Sequence, residues 1–536
     1  MATFLYRLGK ASYERAGRVL FAWLIGLVAI AGGGFSLAGA TDEEFRIPGS
    51  ESQEAFDRLE AVFPTFAGAS AQAVIVAPDG ERLDDRDNRL AIIRLTSTID
   101  RLEGIEEAVH PFEEFAGEAL SDDGSTAYVQ IQFESAAPEV TEELLDELVA
   151  TRDLIENAGL TIEYGGTVFQ DQAVGLTIAE VLGVLFAGLV LIVTFRSFRP
   201  AWMPLASAII GVGLTLGVVF FSTNFLVVSS SAPLLAVMLG LAVGIDYSLF
   251  ILSRHRTQLA AGEDPKESAA IAVGTAGNAV VFAGVTVIVA LLGLFVVGLP
   301  FLSIMGASAA LAVAVAVVAA ITLLPALMGL AGEKLRPAPG SQAARIATLS
   351  AETPSAGRRW ARLVMKHPLA VTLITVLGLG TIALPALTLD LNLPGGGQEP
   401  EESTQRKAYD LISEGFGPGY NGPLLIAVDI TKSEDLLDDL EAMEEDFAEI
   451  PGVVYVSQGF PSPGLDTGIF QVVPEYAPDS PETKALVAHI RERIPDCEEP
   501  SDAAMSFTVI PAIGVAVSER ITNARCPLGP VSVGLS

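Results

Sequence analysis

Seven long apolar stretches constrain what this chain of 536 residues can fold into. A helix that crosses the hydrocarbon core of a membrane needs about 20 apolar residues, and each stretch approaches this length. In chain order they are Val19–Ala40, Thr177–Phe195, Ala201–Phe221, Val227–Leu252, Asn278–Leu299, Leu302–Leu330 and Pro368–Leu389. The pattern predicts a polytopic α-helical membrane protein with about seven spans.

The first stretch has one competing interpretation, a cleaved signal peptide. Arg15 and Arg18 precede it, and Ala38-Gly39-Ala40 resembles a cleavage site. Its apolar core exceeds the 7–15 residues, approximately, of a signal peptide. We therefore interpret it as the first span.

The charged residues occupy different parts of the chain from the apolar stretches. The net charge is -33, although only 18% of the residues are charged. The acidic residues crowd into the segments 41–172 and 391–504, which predicts two solvated polar domains. Such blocks argue against nucleic-acid binding, which requires clustered lysine and arginine. Whether Cys497 and Cys526, near the end of the second block, form a disulfide stays open.

Basic residues predict the orientation of the spans, because positive loops stay in the cytoplasm. If every stretch crosses once, four basic groups fall on one side. They are Arg7, Lys10, Arg15 and Arg18; Arg196 and Arg199; Arg254, Arg256 and Lys266; and Lys334, Arg336, Arg345, Arg358, Arg359, Arg362 and Lys366. We expect a cytoplasmic N-terminus, both acidic blocks outside the cell membrane, and Arg254 and Arg256 as snorkelling end-anchors.

An internal repeat relates the two acidic blocks, with an offset of roughly 346 residues. The first copy comprises Phe45–Gly49, Glu54–Phe63, Ala73–Ala77, Arg86–Leu102, Thr126–Phe133, Thr141–Ala158 and Leu160–Tyr164. The second comprises Leu391–Gly395, Arg406–Phe416, Leu424–Val428, Ser433–Ile450, Gly468–Val473, Pro481–Ile494 and Ser506–Ile510. The order strand-helix-strand-strand-helix-strand predicts a ferredoxin-like α/β domain in each copy.

These patterns predict six segments. They are a cytoplasmic N-terminus with the first span (1–40), a first extracytoplasmic domain (41–172), a bundle of spans two to six (173–332), a cytoplasmic loop (333–367), span seven (368–389) and a second extracytoplasmic domain (390–536). Five spans follow the first outer domain, whereas the chain ends soon after the second. We therefore expect a C-terminally truncated copy of a longer duplicated protein.

Asp246 is the sequence's strongest functional candidate, because it lies within the apolar fourth span. A carboxylate there costs several kcal/mol unless it is protonated, paired or hydrated, and such acids commonly carry protons. We assign Asp246 and the adjacent Tyr247 to a proton relay. A structural carboxyl bonded to a neighbouring helix is the alternative for Asp246, and an interfacial ring is the alternative for Tyr247.

Four other residues are candidates for supporting roles. Gly240 and Gly244 form a GxxxG pattern that lets another helix approach near the relay. Asn278 and Thr286 in span five are candidates for polar relay members or for structural hydrogen bonds between helices. Ser248 lies two residues from Asp246, on a different face, and is not expected to be its partner.

The sequence lacks the motifs of several other chemistries. It contains no GxxxxGK[ST] phosphate loop, no HExxH and no GxSxG, and its four histidines are far apart. We expect no enzymatic activity, no metal site and no cofactor.

The chain resembles the MmpL branch of the resistance-nodulation-division (RND) transporter superfamily over nearly its whole length. The likeness rests on the topology, the repeat, the fourth-span sequence Gly240–Phe250 with Gly-Ile-Asp-Tyr before Ser253-Arg254, and Asp479–Thr483 in the second outer domain. The resemblance implies porter-type outer domains and proton-driven export of lipids or other hydrophobic compounds. It also implies that Asp246 and Tyr247 work against an equivalent pair in a tenth span, which a second subunit would have to supply.

Three alternatives stay open at this point. The chain could bind lipid without transport, as sterol-sensing relatives of the superfamily do. It could be a protein-export accessory like SecD/SecF, although the second outer domain disfavours this, or it could be a remnant of a longer gene. The substrate and the oligomeric state are not predicted.

Overall fold

A computed structural model describes residues 1–39, 69–113, 118–135, 140–169, 178–229, 231–337, 356–388, 395–431, 435–490 and 505–507. The described residues divide into two compact units. Those of the first lie within Met1–Glu44 and Ala173–Leu391, and those of the second within Phe45–Gln172 and Asn392–Asn523. The first unit contains the long apolar helices, and the second contains segments rich in acidic residues.

The helices account for most of the described chain. In order they are α1 (Ala2–Glu14), α2 (Ala16–Ser36), α3 (Arg86–Ile99), α4 (Glu142–Ala150), α5 (Arg152–Glu156), α6 (Ile178–Phe195), α7 (Phe198–Ser222), α8 (Ser231–Ala260), α9 (Pro265–Leu292), α10 (Pro300–Ala331), α11 (Ala356–Lys366), α12 (Pro368–Ala383), α13 (Thr404–Gly415), α14 (Leu436–Ala448) and α15 (481–490).

Six of the described helices are long and apolar enough to cross a membrane: α2, α7, α8, α9, α10 and α12. The apolar part of α6, described from Val181 to Phe195, is shorter. Each of the seven predicted stretches thus coincides with an apolar helix, and six meet the full length. The prediction of a polytopic, multi-pass membrane protein is confirmed.

The most enclosed of these helices is α10, and 72% of its most apolar stretch is buried. It packs against α7, α8 and α9. Small side chains line it, and Ala309, Ala312, Ala316 and Ala320 are all buried. Helices in lipid associate mainly through close van der Waals packing, because lipid tails are as apolar as the side chains. The alanines of α10 therefore allow the surrounding helices to approach closely.

Two glycines mark the closest crossing in this unit, between α2 and α7. A Cβ atom added to Gly34 would overlap the backbone of Gly217, and one added to Gly217 would lie 2.6 Å from Cα of Ala31. No residue larger than glycine fits at either position without separating the two helices.

The N-terminal helix α1 is tied to the start of α9. Tyr6 donates a hydrogen bond to Oε1 of Glu267 at 2.5 Å, and Lys10 Nζ lies 3.3 Å from Oε2 of the same carboxylate. Lys266 forms an ion pair with Glu14. Because Tyr6, Lys10 and Glu14 are spaced four residues apart, these polar contacts fix which side of α1 faces the start of α9.

The second unit contains two antiparallel sheets. Their strands are β1 (Ser70–Val76), β2 (Ile105–Val109), β3 (Thr126–Phe133) and β4 (Thr161–Gly166), then β5 (Leu424–Asp429), β6 (Val453–Val456), β7 (Phe460–Pro461), β8 (Thr467–Pro474) and β9 (Met505–Phe507). The strand order is β2-β3-β1-β4 in the first sheet and β6-β8-β5-β9 in the second, with β7 beside β8. The two orders are equivalent, as expected for a repeat.

Helix α13 belongs to the second copy in sequence but packs on the sheet of the first. Ala408 and Ile412 of α13 are buried against Val74 and Tyr128. Thr404 at its start accepts a hydrogen bond from the backbone N–H of Tyr164 at 2.7 Å. The internal repeat predicted this helix but not the sheet that it covers.

A second link between the copies joins Tyr420 to Glu118. The tyrosine hydroxyl donates to Oε2 of Glu118 at 2.6 Å. Burial and the neighbouring carboxylate raise the pKa of Tyr420, so the phenol keeps its proton and remains the donor. The two copies therefore share a polar contact as well as an apolar one.

Several predicted features lie outside the described residues. They are Phe45–Gly49, Glu54–Phe63, Leu391–Pro394, Cys497 and Cys526.

The crossing of α2 and α7 gives a stability prediction. We expect Gly34→Ala to lower the free energy of unfolding by about 1–3 kcal/mol, because the methyl group forces backbones apart. Thermal unfolding in detergent measures the change. Gly33→Ala is the matched control, since a Cβ there meets nothing within 4 Å. Equal melting temperatures for the two variants would contradict the close crossing.

Candidate functional site

The candidate relay residues lie near the middle of α8, which has two distinct faces. The buried face carries Gly240, Gly244 and Ser248, spaced four residues apart. Residues at this spacing lie on one side of a helix. The face is therefore defined by the smallest side chains of the span.

The two glycines of this face lie against α7 and α10. A Cβ on Gly240 would come within 2.8 Å of Val212 Cγ2, and one on Gly244 within 3.0 Å of Ala208 Cβ. The Gly244 position also meets Ala316 of α10 at 3.8 Å. The GxxxG pattern thus lies where α8 contacts α7 and α10.

Asp246 lies on the exposed face of α8. An exposed stripe at four-residue spacing runs along this side of the helix. Its members are Leu234, Met238, Ala242, Asp246 and Phe250. Asp246 forms no hydrogen bond or ion pair with any residue that the structure describes. A position two residues along a helix is rotated by about 200°, so Asp246 points away from the side that Gly244 presents to α7. The glycine packing therefore does not enclose the carboxyl group.

Tyr247 faces α9. Its Cε2 atom lies 3.7 Å from the position that a Cβ of Gly284 would take, and its ring is half-buried. Asp246 and Tyr247 therefore have different surroundings, as expected for adjacent helical residues. A Cβ at Gly284 would overlap Val317 of α10, whereas the tyrosine ring would remain in ordinary van der Waals contact with it.

Asn278 and Thr286 lie on the same helix as Gly284, and neither forms a hydrogen bond with Asp246. Thr286 donates its hydroxyl hydrogen to the carbonyl of Phe282 at 3.0 Å, within its own helix. Asn278 is half-buried and makes no hydrogen bond to any described residue. It lies six residues from Gly284, about 9 Å along the helix axis.

Two buried serine hydroxyls, one of them on this face, were not identified as candidates from the sequence. Ser248 on α8 and Ser207 on α7 are 0% and 1% exposed, and neither Oγ atom has a hydrogen-bond partner among the described residues. A buried hydroxyl without a partner costs roughly 1–3 kcal/mol. The four-residue spacing of Ser248 from Gly244 is the signal that would have placed it on this face.

The prediction for Arg256 was wrong. Its side chain is not a snorkelling anchor but is 9% exposed, and it donates a hydrogen bond from a terminal nitrogen to the carbonyl of Phe195 at 2.9 Å. Arg254, two residues earlier, is exposed. Within the described residues, no group of three or more His, Cys, Asp or Glu side chains is arranged to hold a metal ion.

Comparison with known proteins identifies the group to which this architecture belongs. The MMPL family matches residues 44–371, which include the whole of α8. The chain belongs to the MMPL family. The predicted resemblance is thereby confirmed, and the match contains every candidate site residue.

Three similar proteins illustrate the relationship. The membrane protein YdfJ of Bacillus subtilis is 35% identical over all of this chain, which spans 72% of YdfJ. The mycolic acid-containing lipids exporter MmpL11 of Mycolicibacterium smegmatis is 26% identical over 84% of the chain, which spans 48% of the exporter. The heme uptake protein MmpL11 of Mycobacterium tuberculosis is 27% identical over 89% of the chain, which spans 50% of that protein. The chain therefore covers about half of each mycobacterial relative.

The exposed position of Asp246 gives a labelling prediction. A lipid-soluble carbodiimide reacts with protonated carboxyl groups that it reaches through the bilayer. We expect it to label Asp246 when the chain is reconstituted in lipid as a monomer, and mass spectrometry of the modified peptide locates the adduct. Asp246→Asn supplies the control and should lose the adduct. Absence of label on the wild-type residue would show that other groups cover the stripe or that the carboxyl is ionised.

Proposed function

We propose that this MMPL protein is a proton-motive-force-driven transporter that exports lipids or other hydrophobic compounds. The observation that carries the proposal is the single acid on the exposed stripe of α8, within a chain of this family. The relatives support the substrate class, since one is named an exporter of mycolic acid-containing lipids. Another is named a heme uptake protein, and heme too is a hydrophobic compound.

The physical case for proton transfer starts from the cost of an isolated charge. Leu234, Met238 and Phe250 on the same stripe are apolar and exposed, so the surroundings of Asp246 along α8 are those of a lipid-facing surface. A carboxyl group in such surroundings is stabilised by a proton, by a water molecule or by a polar partner. Alternation among these states is what a proton carrier requires.

We further propose that another helical bundle, contributed by a second subunit, covers the stripe. Small and apolar residues flank Asp246 at positions 238, 242 and 250, which suits close contact with another helix. A second acid and tyrosine from that bundle would complete the relay begun by Asp246 and Tyr247. Relative rocking of the two bundles would then expose the carboxyl alternately to each side.

The outer domains and the topology complete the proposal. The equivalent strand orders of the two sheets support a ferredoxin-like, porter-type domain in each copy. We place both in the extracytoplasmic space and the N-terminus in the cytoplasm, with the helices in the cell membrane. Transport by this route involves no covalent chemistry on the substrate, so we propose that the chain is not an enzyme.

Reconstitution tests the relay directly. In proteoliposomes that contain a pH-sensitive dye and carry an imposed potential, we expect the wild-type protein to admit protons and Asp246→Asn to admit none above background. Asparagine preserves the size of the side chain but cannot exchange a proton at neutral pH. Asp246→Glu should retain part of the flux.

Two controls sharpen this test. Thr286→Val removes a hydroxyl that is bonded within its own helix, so its proton flux should match the wild type. Movement of a labelled lipid extract across the same vesicles should depend on the gradient and on Asp246. Wild-type flux in Asp246→Asn would remove the relay, whereas flux without lipid movement would remove only the substrate class.

A further inference from the structure

Arg256 is a buried cation whose surroundings in the described structure contain no matching anion. The side chain is 9% exposed, and its guanidinium lies 5.2 Å from the centre of the Phe195 ring. Its hydrogen bond goes to the neutral carbonyl of Phe195. Arg256 forms no ion pair with any carboxylate of the described residues, and its Nε–H has no partner there. Buried charges are normally paired.

The guanidinium lies at the junction where α6 ends and α7 begins. Phe195 is the last residue of α6, and Ser197 caps the N-terminus of α7 without forming a side-chain hydrogen bond. The first backbone N–H groups of a helix attract anions, because they lack partners and carry the positive end of the helix dipole. An unpartnered guanidine N–H and an uncapped helix N-terminus therefore occur at the same junction.

Two further arginines lie in the chain segment that forms this junction. Arg196 and Arg199 are both exposed. Arg196 adopts a φ of 50°, which few residues other than glycine do, and this conformation turns the chain sharply between the helices. Arg196 lies in this turn, and Arg199 lies in the first turn of α7.

Two aromatic residues indicate the depth of the junction in a membrane. Phe198 and Trp202 are one turn apart on α7, and they are 70% and 40% exposed. Tryptophan is enriched at the level of the lipid head groups. The ring of Trp202 therefore places the junction close to the height at which lipid phosphates lie.

We propose that Arg256, with Arg196, Arg199 and the N-terminus of α7, forms a binding site for a phosphate group. Arginine suits this ligand because its planar donors match phosphate geometry. The source is the head group of an anionic phospholipid in the adjacent leaflet or a free phosphate ion. The site is separate from Asp246, which lies ten residues away, about 15 Å along α8. It does not depend on transport.

Lipid titration of the purified full chain tests the site. In detergent, we expect short-chain phosphatidylglycerol to raise the melting temperature of the wild-type protein more than phosphatidylcholine does. Arg256→Gln should raise the half-saturating lipid concentration about tenfold, as expected for the loss of one charge-assisted contact. Arg254→Gln is the matched control, since this exposed arginine points to another side of α8 and should change nothing.

A second pair of variants covers the case in which Arg256→Gln fails to fold. Arg256→Lys keeps the charge and one donor to Phe195, and Arg199→Gln changes only an exposed residue. Both should fold and both should bind the anionic lipid more weakly than the wild type. A structural role for Arg256 alone would lower the melting temperature without lipid but leave the lipid-dependent increase unchanged.

Inorganic phosphate distinguishes the two sources of the ligand. An increase in melting temperature with sodium phosphate but not sodium chloride, lost in Arg256→Gln, would assign the site to a free ion. An increase with phosphatidylglycerol alone would assign it to lipid. No Arg256-dependent increase with either ligand would overturn the proposal.

Discussion

The close approach of helices through small residues is the constraint on which the membrane unit depends. Lipid offers no hydrophobic force that would drive one apolar helix onto another, so contact surfaces must fit closely. The alanines of α10 and the pair Gly240 and Gly244 provide that fit, and they determine which face of α8 is buried. Asp246 is excluded from this face by helix geometry alone. The packing of the bundle thereby sets the orientation of the acid.

Hydropathy predicted where the spans lie but not where the helices end. The predicted fourth span stops at Leu252, whereas α8 continues to Ala260. The extension carries His255, which is fully buried with Nδ1 2.9 Å from Oγ of Ser268, so it is helical because it packs on α9. Likewise α9 begins at Pro265 after the capping residue Asp264, well before the predicted Asn278. Tertiary packing therefore keeps the last turns of α8 helical, whereas the start of α9 carries a local signal, the Asp264 cap before Pro265.

The outer domains show a similar division. The internal repeat predicted the strand Thr126–Phe133 with the bounds that the structure has. The location of α13 could not be predicted, since an amphipathic helix of either copy fits the apolar face of either sheet by pattern alone. Close packing favours the first sheet, because Gly165 of β4 leaves room for Ala408 of α13. A Cβ added at Gly165 would lie 3.1 Å from the Cβ of Ala408. Only the folded arrangement contains this information.

The candidate site follows from how each polar group in the bundle is satisfied. Thr215 and Thr286 donate to carbonyls one turn earlier in their own helices and need nothing from their surroundings. Asp246 cannot do so, because a carboxylate has no hydrogen to donate and helical carbonyls offer only acceptors. The Nε–H of Arg256 also lacks a partner among the described residues. An acid at the middle of α8 and a cation near its end therefore lack partners among the described residues, and we propose opposite chemistry for the groups that meet them: a proton or hydrogen-bond donor for Asp246, and an anion for Arg256.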